Sequence, residues 1–182
     1  FMTRAELEHA IRAACEVADD DAVWIFGSQA IVGQYPNAPE EIRLSMEVDL
    51  CPVNHPERAD QIYGAIGEES DFHRAHGFWV HGFPVDDLVL PEGWRERVVE
   101  VRNANTNGKT GRCVEVHDLA AGKLHAFREK DRRFVREVLG HGLARVDVLQ
   151  TSIRRLPVQE DRRADLLRWL RATVDELRET GD

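Results

Sequence analysis

No apolar run in this chain approaches the roughly 20 residues that a membrane-spanning helix needs, so no membrane partner is expected. The opening residues Phe1-Met2-Thr3 lack the charged and apolar regions of a signal peptide, which leads to the expectation of a cytoplasmic protein. Phe1 ahead of Met2 reads as a remnant of cloning. Cysteine is scarce: Cys15, Cys51 and Cys113 are an odd number at wide spacings, which points away from a disulfide framework and from a CxxC-type zinc site. The eight histidines form no HExxH, and there is no internal repeat or low-complexity tract.

What is present is the composition of a soluble globular protein. The 182 residues are 42% hydrophobic and 31% charged, enough for one domain or one and a half around a real core. The net charge of −9 is unevenly spread: residues 1–100 carry 7 basic against 20 acidic side chains, and residues 101–182 carry 17 against 13. An acidic half suits a divalent cation and a basic half suits phosphates or RNA, whereas the bland reading is a solvated surface laced with i,i+4 ion pairs.

Thr3-Arg4-Ala5-Glu6 has capping-box spacing, and Leu7, Ile11, Ala14 and Ala18 then share one helical face, so a helix is expected over about 4–18. Asp19-Asp20-Asp21 breaks it. The run from Ala22 to Phe26 reads as a buried strand, followed by a tight turn at Gly27-Ser28 and a short helix from Gln29 to Gly33. A loop from Tyr35 to Pro39 leads to a second strand, Met46 to Cys51, stopped by Pro52. Residues 57–67 look helical, and one or two strands are expected between Phe78 and Leu90. Strands at 97–102 and 112–116 flank Asn107-Gly108, a hairpin signal. From Asp118 the pattern is helical, at 118–128, 130–139, 145–155 and 160–179. The expected class is α/β (α+β): a mixed sheet with helices over 1–117 and a helical C-terminal region over 118–182.

The informative unit is a buried strand, Gly27-Ser28, a helix, and a strand carrying Glu47-Val48-Asp49. Strand side chains alternate, so Glu47 and Asp49 share one exposed face while Val48 and Leu50 point inward. Two adjacent carboxylates repel unless solvated or neutralised by a cation. Oxygen ligands with open positions suit Mg²⁺ (or Mn²⁺), which retains waters and binds substrate phosphates. Gly27 permits close approach of a triphosphate, and the Ser28 and Gln29 amides with the Ser28 hydroxyl are natural phosphate donors. Asp86 and Asp87 are candidates for a third metal carboxylate, and a turn before Pro91 explains them equally well. Further on, Lys123, Phe127, Lys130 and Asp131 lie within two helical turns, so that Lys123 and Arg128 can reach toward the acidic strand. Without the upstream motif these charges would be a solvated, ion-paired face.

Gly27, Ser28, Glu47 and Asp49 resemble the first motif of the polymerase-beta-like nucleotidyltransferases, Gly-Ser followed by an acidic-x-acidic strand. The chain departs from that pattern in having Glu first, and in a long interval between Gly-Ser and the acids that implies an inserted loop. Asn105-Thr106, Gly108, Thr110-Gly111, Cys113, His117-Asp118-Leu119, Lys123-Leu124, Ala126, Arg128, Lys130-Asp131 and Phe134-Val135 are similar to the second-half signature of AbiEii/MenT-type nucleotidyltransferase toxins and their small bacterial relatives. The resemblance covers residues 20 to about 140. It implies a nucleotidyltransferase-type sheet with a C-terminal region completing the active site. It also implies transfer of a nucleoside monophosphate from an NTP to an acceptor, the tRNA 3′ end in the MenT branch, and a cognate antitoxin protein. In that reading Glu47, Asp49 and Asp86 hold metal; Gly27, Ser28, Lys123 and Arg128 bind nucleotide; and Asp131 supports catalysis with Glu47, Asp49 and Lys123. Two alternatives are an inactive nucleotide- or protein-binding module, consistent with Glu47, and a transferase that modifies protein hydroxyls.

Other motifs carry less. Asn107-Gly108-Lys109-Thr110 imitates the end of a P-loop, but the required first glycine is Asn103, so Lys109 is read as a loop residue. His73/His76 and Cys51/His55 have metal-like spacing without partners. Ser28 lacks the flanks of a nucleophile elbow. Trp24, Trp79, Trp94 and Trp169 are read as packing residues. Arg154, Arg155, Arg162, Arg163, Arg168 and Arg171 are either an RNA track or, the reading preferred, partners of Glu160, Asp161, Asp165 and Asp175.

Overall fold

The computed structural model describes residues 1–181 as a mixed α/β chain that divides into two units, Phe1–Leu88 with Arg97–Glu115, and Val89–Glu96 with Val116 onward. In the first unit, helix α1 (Arg4–Ala18) begins where its sequence says it should. The Thr3 hydroxyl accepts from the Glu6 amide at 3.2 Å and the Thr3 amide donates to Glu6 Oε2 at 2.7 Å. Leu7, Ile11, Ala14 and Ala18 are fully buried along its inner face. The helix ends at Asp19, in the left-handed region. Next to it, the buried Asp20 carboxylate accepts from the amides of Ala22, Asn54 and His55.

Five strands follow: β1 (Ala22–Ile25), β2 (Glu47–Pro52), β3 (Trp79–Gly82), β4 (Val99–Val101) and β5 (Thr110–Cys113). They form one sheet in the order β3-β2-β1-β5-β4. β1 is antiparallel to β2 and parallel to β5; β2 is parallel to β3; and β4 and β5 are antiparallel. The hairpin joining β4 to β5 turns through Asn107 and Gly108, both at positive φ (55° and 73°), as the Asn-Gly signal predicts. Lys109, just after it, is tied to Asp21 at 2.7 Å, which suits a loop residue. β2 begins one residue later than expected and includes Pro52, its last paired residue, opposite Val23.

The register sorts the sheet into two faces. Val48, Leu50, Val23, Ile25, Val80 and Cys113 share one face, all fully buried, against α1, α2 (Ala30–Gln34) and α3 (Ala59–Ile66). Each such side chain contributes about 1.5–3 kcal/mol by leaving water. The opposite face carries Glu47, Asp49, His81, Trp24 and Arg112. A short helix, α4 (Asp71–His76), was not foreseen; Ser70 caps it by accepting from the His73 amide at 3.1 Å. Only one strand lies between Phe78 and Leu90, and the remainder is irregular, with a 3₁₀ turn at Val85–Asp87.

The second unit is helical, as expected: α5 (Val116–Ala126), α6 (Glu129–Gly140), α7 (Val146–Arg154) and α8 (Glu160–Thr180). Leu124, Val135, Val138, Leu149, Ile153 and Leu170 are fully buried. The expected boundary after residue 117 differs from the observed division, because Val89–Glu96 belongs with the helices. Its Glu92 amide donates to Arg155 O at 2.8 Å, and Leu90 fills the space that a side chain at Gly122 would need. Moving this segment also softens the charge contrast. The first unit has 9 basic and 19 acidic residues, and the second has 15 and 14 by sequence, close to neutral.

Candidate metal centre

Glu47 and Asp49 occupy alternate positions of β2 and are about one-third exposed, while Val48 and Leu50 between and after them are buried. β3 runs parallel beside β2 with His81 opposite Asp49. His81 Nδ1 lies 3.2 Å from Glu47 Oε1 and 3.3 Å from Asp49 Oδ1. The imidazole is flanked by Tyr63 and Phe83, at ring separations of 5.2 and 5.7 Å. The side-chain donor atoms of Glu47, Asp49 and His81 all fall within 4.8 Å of one another. His81 is the residue that sequence reasoning missed. Its signal was the alternation in Trp79-Val80-His81-Gly82, where Val80 and Gly82 are buried and His81 is not.

The Gly27-Ser28 turn is bound to this strand. The Phe26 amide donates to Asp49 O at 3.1 Å, carrying β1 pairing one residue beyond Ile25. A Cβ at Gly27 would overlap Asp49 Oδ2 and lie 3.0 Å from its Cγ. The glycine is therefore required by the carboxylate itself, a nearer cause than approach of a ligand. Gln29 is buried, and its Nε2 donates to Ser45 O at 2.7 Å, while Ser45 Oγ accepts from the Glu47 amide at 3.2 Å. One buried amide side chain thus sets where β2 starts. Gln29 Oε1 is buried with no hydrogen-bond partner among the described residues.

α2 has five residues, too short to build much of a dipole. The amides of Ala30, Ile31 and Val32 are already directed at the carbonyls of Gly27, Ser28 and Gln29, so phosphate donation by this turn narrows to Ser28 and the amide of Gln29. Asp86 stands exposed on the 3₁₀ turn after β3 and is not among the clustered donor atoms; the third member of that cluster is His81.

Comparison with family models, with curated proteins and with solved structures gives no match to this chain. Function must therefore be argued from the residues.

Lys123, Arg128 and Asp131 form a separate cluster, in the second unit. Asp131 is completely buried. It accepts from Arg128 Nε at 2.7 Å, Arg128 Nη2 at 3.2 Å and the Arg128 amide at 3.1 Å, and Lys123 Nζ is 3.8 Å away. Burial opposes its charge, but the Arg128 hydrogen bonds and the Lys123 ammonium outweigh that and hold the carboxyl below its ordinary value. With no exposed surface, Asp131 faces Arg128 and Lys123 and not solvent, so any support it gives to catalysis is through the placing of those two cations. Lys123 lies over the Phe134 ring at 4.8 Å with little of its side chain exposed.

Two arginines of α8 follow the ion-paired reading. Arg163 pairs with Glu160 at 2.8 Å and Arg168 with Asp165. Arg162 departs from it: it donates to His125 O at 2.8 Å and lies 5.4 Å from the Phe127 ring.

The donor set of Glu47, Asp49 and His81 fits a divalent cation. Two donors at right angles on an ion with bonds of about 2.1 Å are about 3.0 Å apart, close to the 3.2 and 3.3 Å seen from His81 to the carboxylates. Among the described residues no helix is long and apolar enough to cross a membrane.

Proposed function

We propose that the protein is a divalent-metal-dependent nucleotidyltransferase that moves a nucleoside monophosphate from an NTP to an acceptor hydroxyl. The observation that carries the reading is the convergence of Glu47 and Asp49 with the Gly27-Ser28 turn on the polar face of the sheet. Mg²⁺ or Mn²⁺, when bound there, supplies positive charge to offset the triphosphate. Glu47 and Asp49 hold the ion. Ser28, with its hydroxyl and amide, is positioned to donate to a phosphate, and Gly27 keeps the turn close to Asp49. In the transfer the acceptor oxygen bonds to the α-phosphorus, the bond to the bridging oxygen breaks, and pyrophosphate leaves; the acceptor proton passes to a carboxylate or to water.

The acceptor, a tRNA 3′ end, and a role as the toxin of a toxin and antitoxin pair rest on the resemblance of the 105–135 block. So do nucleotide-binding roles for Lys123 and Arg128. A second reading, a nucleotide-binding module without turnover, is favoured by Glu47 in place of aspartate.

The test is incubation with Mg²⁺ or Mn²⁺, each α-labelled NTP in turn and total bacterial tRNA, with Asp49→Ala alongside. Label on RNA only with the unaltered chain is the expected result. Label on protein moves the acceptor to a protein hydroxyl. Full transfer by Asp49→Ala, or no label despite NTP binding, defeats the proposal, and the latter result favours the silent module.

A further inference from the structure

We propose that His81 is the third protein ligand of the metal, so that this centre is a mixed nitrogen and oxygen site that prefers first-row transition ions to Mg²⁺, with Mn²⁺ as the spectroscopic probe. The inference rests on the metal assignment made above for Glu47 and Asp49, and names the class of ion that site takes.

The geometry that points to it is independent of the Gly-Ser motif. Parallel pairing of β3 with β2 places His81 opposite Asp49, and Nδ1 of the ring faces both carboxylates at nearly equal distance, 3.2 and 3.3 Å. These are the separations of neighbouring corners of one coordination sphere. Asp49 Oδ2 takes the space that a side chain at Gly27 would need, while Oδ1 is the oxygen that meets His81, so the two oxygens of Asp49 have different surroundings. Tyr63 on α3 and Phe83 after β3 flank the imidazole and restrict its rotation. A ring held in this way loses little freedom when it binds an ion, and such preorganisation strengthens binding.

The chemistry then separates Mg²⁺ from the first-row transition ions. Mg²⁺ is hard, demands oxygen and is reluctant to give up water. Imidazole nitrogen suits softer first-row ions, and their affinity for a given nitrogen and oxygen site rises along the series that begins at Mn²⁺. Two carboxylates and one imidazole leave positions for water and phosphate oxygens on Mn²⁺, which accepts both donor types.

The experiment titrates the metal-free protein with Mn²⁺ and reads it by electron paramagnetic resonance, with pulsed detection of nitrogen coupling and competition by Mg²⁺. His81→Asp and Asp49→Ala are run beside it, their folding checked by circular dichroism. Bound Mn²⁺ with a ¹⁴N coupling in the unaltered protein, lost in His81→Asp while the ion still binds, is the expected result. Mg²⁺ should compete at least about tenfold better in His81→Asp, since even an outer partner of a metal ligand is worth that much. Bound Mn²⁺ without nitrogen coupling, or a coupling that survives His81→Asp, overturns the assignment of His81 and leaves the carboxylate site standing. No bound Mn²⁺ at millimolar concentration overturns the metal centre itself.

Discussion

Asp131→Asn separates a residue that holds the fold from one that does chemistry. The carboxylate is wholly buried and receives three hydrogen bonds from Arg128, with Lys123 a further 3.8 Å away. Asparagine keeps one acceptor oxygen, but its amide nitrogen then faces guanidinium or ammonium donors and satisfies none of them. Removing one member of a fully buried ion pair costs about 3–5 kcal/mol. The Arg128 side chain is 60% exposed, so screening lowers the expected cost to about 2–3 kcal/mol. For a chain of this size each kcal/mol corresponds to roughly 2–4 °C, so Tm should fall by about 4–12 °C.

The carboxyl's depressed pKa gives a second signature. Its stabilisation is complete above the unfolded carboxylate value, about 3.9, and is lost as pH falls through the lower folded value. The Tm gap between the unaltered chain and Asp131→Asn should therefore be constant from pH 6 to 8 and close only below about pH 4. Calorimetric melts of both chains across that range make the measurement. An unchanged Tm, or a gap indifferent to acid, refutes the structural account. Unchanged Tm with lost transfer would return Asp131 to the chemistry.

Gly27→Ala should displace Asp49, because the added methyl occupies the place of Oδ2. An overpacked site of this kind costs about 1–3 kcal/mol, and Mn²⁺ affinity should fall with it; equal affinity and Tm in the variant would show that the close contact is not required. The three thiols are all buried, and burial pushes both Cys15 and Cys113 up to about 12. Ellman's reagent at pH 8 should accordingly label none of them in the native protein and all of them in guanidinium, and fast labelling of the native protein would contradict the packing.

Much of the fold was legible because its signals are local. The Thr3 cap, the Asp19 stop, the buried run of β1 and the four C-terminal helices all depend on neighbours in sequence. What escaped depends on distant partners. Val89–Glu96 falls inside the expected first domain, 1–117, yet Leu90 packs on Gly122 and Glu92 is bonded to Arg155. Asp131 shares with any charged helical residue the look of a solvated group, and only the folding of Arg128 across it shows that it is buried. Glu47 and Asp49 could be placed on one face from alternation alone, but His81 joins them through strand register, which no local pattern encodes.

That register also accounts for glutamate at position 47. Residues 47 and 49 lie about 7 Å apart along the strand, two steps of about 3.3 Å each. His81 is opposite Asp49, whereas Glu47 is opposite Trp79, one pleat away from the imidazole. A carboxylate directly beside His81 needs only the short aspartate side chain. One that must reach back along the strand needs an extra methylene, and Glu47 Oε1 thereby comes within 3.2 Å of the same nitrogen that Asp49 meets at 3.3 Å. The longer acid at 47 and the histidine brought in by register therefore meet at one point on the polar face of the sheet.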